Sequence, residues 1–198
     1  MKQFEDLPHL LRARARLAQT APKRAAVLVP VIEAPEGPSL LLTRRTDVVS
    51  SHQGQVAFPG GRMEPHDPDA VANALREAEE EVGLHPSYVQ VLGLLDDIPT
   101  VTGTTMVTPV VGRVLGAPSL RPQESEVARI FSIPIAELQR KERWRIEGVS
   151  WRGTSFPMFF FDHDGEVLWG MSAYVTLQLL SFLPGGAPHT VPEYNPGR

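Results

Sequence analysis

Cysteine is absent from these 198 residues, which excludes disulfides, thiolate zinc sites and cysteine nucleophiles. No apolar run approaches the roughly 20 residues that a membrane-spanning helix needs. The segment Met1 to Leu7 lacks the apolar core of a secretory signal. Positive charge is also scarce: 19 Lys and Arg against 23 Asp and Glu leave a formal charge of −4, the opposite of the basic surface that a nucleic-acid binder presents. The phosphate loop Gly-x4-Gly-Lys-Ser/Thr, the zinc motif His-Glu-x-x-His and the nucleophile elbow Gly-x-Ser-x-Gly are all missing. With 42% hydrophobic and 21% charged residues the composition is globular. A chain of this size buries about 70% of its surface. A single domain over residues 1–198 is expected, in a soluble cytoplasmic protein whose partner is a small molecule rather than nucleic acid or membrane.

What is present is an acidic helix behind a glycine turn. Glu77, Glu79, Glu80 and Glu81 fall within five residues, after Phe58-Pro59-Gly60-Gly61. Asp67 reads as an N-cap, Pro68 as the first helical residue and Asp69 as complementing the positive end of the dipole. Gly83 and then Pro86 stop the helix. Val71, Leu75, Ala78 and Val82 make one apolar stripe. At about 100° per residue, Glu77, Glu80 and Glu81 share a quadrant away from that stripe, while Glu79 lies on the opposite flank. Like charges one turn apart cost roughly 0.2–0.5 kcal/mol per pair. A divalent cation between them offsets that cost, and carboxylate oxygens are the ligands that Mg²⁺ or Mn²⁺ prefers.

The segment Gly61 to Leu84 resembles the Nudix box, the signature of hydrolases that cleave nucleoside diphosphates linked to another group. Arg76 to Leu84 matches its second half, Arg-Glu-(apolar)-x-Glu-Glu-x-Gly-(apolar), without a gap. In the first half Asp67 stands for the usual glutamate with one extra residue of spacing, and is read as a cap. Leu42-Thr43-Arg44-Arg45-Thr46 followed by Gly54-Gln55-Val56-Ala57-Phe58-Pro59-Gly60-Gly61 resembles the motif of the coenzyme A pyrophosphatase branch. Thr46 replaces its Ser/Ala and Ser50 its second arginine. Val167-Leu168-Trp169-Gly170 before a helix is similar to that branch as well.

The resemblance implies a Nudix α/β/α sandwich with a mixed sheet, within an α/β or α+β class. It also implies metal-dependent hydrolysis of the coenzyme A diphosphate to 3′-phosphoadenosine 5′-phosphate and 4′-phosphopantetheine. Glu77 and Glu81 are the first candidate metal ligands, then Glu80, with the Gly60 carbonyl as an extra one. Arg76 steadies the cluster through Glu80 or Glu79. Glu126, or Glu124 beside it, is the candidate base or second metal ligand, as other Nudix enzymes draw a carboxylate from this region. Arg45 is the main anion contact, with Thr43, Gln55 and Arg62 as further ones. His52 is read as structural. NADH or ADP-ribose hydrolysis and a non-catalytic binding module are the alternatives, and a homodimer is compatible with each.

Around this core, residues 8–20 suggest a basic helix held by Leu10, Leu11 and Leu17. Strands are expected at Ala25 to Ile32, turning at Glu36-Gly37-Pro38 into Ser39 to Thr43, and at Val89 to Leu95 and Met106 to Val114. Asp96-Asp97 opens a loop through Gly103, and its aspartates are read as capping or solvated. Ile130 to Pro134 precedes a short helix from Ile135. A hairpin joins Phe156 to Phe161 and Glu166 to Trp169 through a turn rather than a calcium loop. A last helix, Ser172 to Leu183, leads to a Pro/Gly-rich tail.

Overall fold

The computed structural model describes residues 1–13, 16–19, 21–47, 54–151 and 154–190. Ser50 and His52 lie outside the described residues, as does the end of the tail. Strand β1 (Lys23–Ala34) turns at Pro35 and Glu36 into β2 (Gly37–Arg45), with Val31 opposite Leu40 and Ala34 opposite Gly37. Beyond Val31 the two strands diverge, and the chain fills the fork. There β3 (Val56–Ala57) pairs with β2, and β4 (Gly60–Arg62) pairs with β1. The Pro59 carbonyl, between them, accepts the Leu28 N–H at 2.8 Å.

Helix α2 (Ala70–Val82) follows, then β5 (Val89–Leu94), β6 (Ile98–Pro99) and β7 (Thr105–Val114). β7 runs parallel to β1 and antiparallel to β5 and β6, while β8 (Val127–Pro134) closes the other side on β2. The main sheet is therefore mixed, as expected. Alternation along β1 divides its core residues between the two faces. Ala26 and Leu28 pack with Ala74, Ala78 and Val82 of α2, whereas Val29 and Val31 face the opposite layer. That layer comprises α1 (Leu7–Ala13), α3 (Ile135–Leu138) and α4 (Gly170–Leu180).

A second sheet was not foreseen. β9 (Trp144–Trp151), β10 (Thr154–His163) and β11 (Glu166–Trp169) form it in the order β11-β10-β9. The β10–β11 turn is as read, with Asp164 and Gly165 both at positive φ. β9 escaped notice because its alternation, Trp144 and Ile146 against Arg145 and Glu147, changes phase at Gly148; Arg145 to Ser150 are all exposed. The amino-terminal helix is shorter than expected and rests on Leu7 and Leu11, while Leu10 and Leu17 are exposed.

Candidate active site

The start of α2 corrects the reading of Asp67. Asp69 is the N-cap, accepting the Ala72 N–H at 2.8 Å, and Pro68 precedes it. Either aspartate satisfies a capping preference, and Pro68 favoured the wrong one. Asp67 is buried instead and receives Arg76 in a two-pronged pair, Nε at 3.1 Å and Nη2 at 3.0 Å. It also accepts the Glu64 N–H at 2.8 Å and Asn73 Nδ2 at 3.3 Å. The hydrogen bond from Arg76 is the main cause holding the Asp67 pKa down to about 2. Arg76, so anchored, donates at 2.9 Å to both Glu77 and Glu80, as the i,i+4 spacing foretold for Glu80. Glu79 takes no part and lies 3.9 Å from His85.

Glycine is required twice in the turn, on grounds of space. A Cβ on Gly60 would lie 2.4 Å from the Ala26 carbonyl oxygen of β1. One on Gly61 would lie 2.4 Å from the Glu77 carboxylate. The absence of these atoms lets α2 bring its acids against the strand. Glu81 accepts the Gly60 N–H at 3.2 Å and faces Arg45 at 3.8 Å, with its side chain only 8% exposed. Burial raises the Glu81 pKa to about 7, against the Gly60 N–H and Arg45, which lower it; Glu77 and Glu126 add repulsion. Burial likewise raises Glu77, with Glu80 and Glu126 again repelling. Glu126 is thus within electrostatic reach although exposed. Its loop is strapped to the end of α2, since Arg121 and Gln123 donate to the Val82 and Glu81 carbonyls.

The other candidates divide. Arg45 is one-quarter exposed, its N–H donates to the Gln55 carbonyl, and its buried Nε has no partner among the described residues. Thr43 is buried with its hydroxyl donating to the Ala57 carbonyl at 3.1 Å, so it secures β3 rather than facing a phosphate. Arg62 is exposed, and its carbonyl receives Asn73 and Arg76. Asp96 and Asp97 are structural: Asp97 is buried and receives Arg16, Thr108 and the Gln19 N–H, while Asp96 receives the Leu17 N–H and Gln178. Reading them as capping or solvated missed the burial of Asp97, whose partners lie elsewhere in the chain.

Among the described residues no three His, Asp or Glu side chains form a ready-made metal cage. The donor chemistry nevertheless fits a hard cation. Glu77 and Glu81 are desolvated carboxylates that repel each other and Glu126, and a divalent ion relieves each of those costs.

Comparison with known proteins matches a model described as the NUDIX domain to residues 22–152. The chain belongs to the Nudix family, and by that membership is a Nudix hydrolase. Among its relatives, the uncharacterized Nudix hydrolase NudL of Photorhabdus laumondii is 43% identical over 157 residues, which cover 79% of this chain and 83% of that protein. NudL of Cronobacter sakazakii is 40% identical over 179 residues, covering 90% and 92%. In fold the chain is similar to the Nudix hydrolase RenU of M. smegmatis, with a TM-score of 0.50 at 22% identity over 61% of this chain and 75% of that one. No helix among the described residues is long and apolar enough to cross a membrane.

Proposed function

We propose that this Nudix hydrolase cleaves the diphosphate of coenzyme A and its derivatives with Mg²⁺ or Mn²⁺. The observation that carries the reading is the placement of the coenzyme A-like motif. Its residues 42–45 form the β2 arm of the fork and 54–61 fill the space toward β1, with Arg45 standing 3.8 Å from Glu81. An arginine aimed beside the acidic helix suits a diphosphate lying across both.

Glu77, Glu81 and Glu80 would hold the cation, joined by the Gly60 carbonyl. A divalent ion held there would neutralise charge on the diphosphate and make a neighbouring water more acidic. Water adds to one phosphorus, the bond from that phosphorus to the bridging oxygen breaks, and the leaving phosphate keeps the electron pair. The water proton passes to a carboxylate, for which exposed Glu126 is the candidate. Arg45 orients the diphosphate, with Gln55 and Arg62 as further contacts. Arg76 is a positioning residue: locked by Asp67, it sets the directions of Glu77 and Glu80.

The test is incubation of the purified protein and Mg²⁺ or Mn²⁺ with coenzyme A, NADH, ADP-ribose and nucleoside diphosphates, the products being resolved by mass. Coenzyme A should show the largest kcat/KM and release the two phosphorylated halves. A higher kcat/KM for NADH or ADP-ribose overturns the substrate assignment and leaves the family intact.

A further inference from the structure

A cavity of about 390 Å³ opens between α4, the segment 16–19 and the end of β5. That volume is in the range that binds small organic molecules. Leu17, Tyr174, Leu177 and Phe182 supply its apolar wall, and Gln178 and His189 its polar one. The Gln178 amide is held by Asp96 through Nε2 at 3.0 Å, yet among the described residues its buried Oε1 has no partner, nor has His189 Nε2. Unpartnered buried polar atoms of this kind are costly and mark where a ligand's own donors and acceptors fit. Among the described residues no lysine or arginine lines the cavity, while Asp96 and Asp97 do. Asp97 is already matched by Arg16, so what disfavours an anionic ligand is the lack of a cation on the wall to receive it.

The cavity is linked to the candidate active site along α4. Ser172, near the start of that helix, donates to the Val56 carbonyl in the fork at 3.2 Å. Gln178 lies nearly two turns further along the same helix, about 9 Å at the helical rise.

We propose that this cavity receives the neutral, amide-bearing pantetheine arm of the substrate. The inference rests on the coenzyme A reading above. Of the two halves joined by the diphosphate, the phosphoadenosine is anionic and finds no cation here. The pantetheine chain alternates amide N–H and C=O groups with apolar carbons, which match Gln178 Oε1, the His189 ring and the apolar wall.

Ser181 lines the cavity from an exposed position and its hydroxyl donates to the Gln178 carbonyl, so Ser181→Trp obstructs the space without touching the core. In this variant KM for coenzyme A should rise at least about tenfold with kcat changed less than about threefold. Inhibition by 3′-phosphoadenosine 5′-phosphate, which lacks the arm, should be unchanged. An unaltered KM, or equal weakening of that inhibitor, overturns the proposal. Titration of both proteins with pantetheine alone, followed by NMR, keeps the two readings apart. If the wild type fails to cleave coenzyme A yet binds pantetheine, and Ser181→Trp does not, the substrate reading falls and the cavity assignment stands. If neither protein binds pantetheine in that case, both fall.

Discussion

Two groups of acids on this protein have opposite fates. Asp97 is buried among partners that match it: the Arg16 guanidinium at 2.9 Å, the Thr108 hydroxyl at 2.6 Å, a backbone N–H, and Arg24 at 3.7 Å. Glu81 is nearly as buried, yet its cationic neighbour stands at 3.8 Å and other glutamates face it. Burying a charge is tolerable when the geometry answers it and costly when it does not. The first arrangement ties the amino-terminal segment to the sheet. The second keeps an unanswered demand for positive charge, which a stable fold gains nothing from and a metal site uses.

The largest effect should come from the satisfied acid. Asp97→Ala strands Arg16 and the Thr108 hydroxyl, and a loss of about 3–5 kcal/mol is expected, as for other broken buried pairs. Urea denaturation checks it; a change within experimental error would show that the partners find water unaided.

Without metal, the unsatisfied acid should set the pH response. The folded state holds the Glu81 proton up to about pH 7, whereas the unfolded chain releases it near 4.5. Between those values the native state binds more protons, so stability falls as pH rises, by about 3 kcal/mol in all. Mg²⁺ prefers the ionised form and should flatten the slope. Thermal melts at about pH 5 and about pH 8, with chelator or with Mg²⁺, measure both arms.

Glu81→Gln should reduce turnover at least about a hundredfold, roughly 2.7 kcal/mol of barrier stabilisation. The fold should survive and the pH slope should lessen. Near-normal turnover in a folded variant would remove Glu81 from the site.

The smallest effect sharpens the division between scaffold and site within one turn. In Gly61→Ala the new methyl meets only the movable end of Glu77, so turnover should drop about tenfold, near 1.4 kcal/mol, while the melting temperature changes little. Gly60→Ala meets the β1 backbone and should lower the melting temperature instead. Equal melting temperatures for the two variants would show that the fork is softer than its spacing implies.

Much of this was legible in the chain. The stop of α2 at Gly83, the β1–β2 turn and the pairing of Arg76 with Glu80 rest on local rules that few neighbours can override. Asp67 was misread because capping preference cannot distinguish it from Asp69, and its contact with Arg76 spans nine positions. Thr43 was misread because a motif shows which residues recur and not which way they face. β9 was missed because its short alternation, Trp144 and Ile146 against Arg145 and Glu147, loses phase at Gly148.

The sequence alone determined the family, the mixed α/β architecture and the glutamates to inspect, since each is written in short-range spacing. Which carboxylate is desolvated, which is answered by an arginine, and why both glycines must lack a side chain were decided only in the folded protein. The physical reason is that burial and charge balance depend on the strands flanking the fork, and residues distant in the chain supply them.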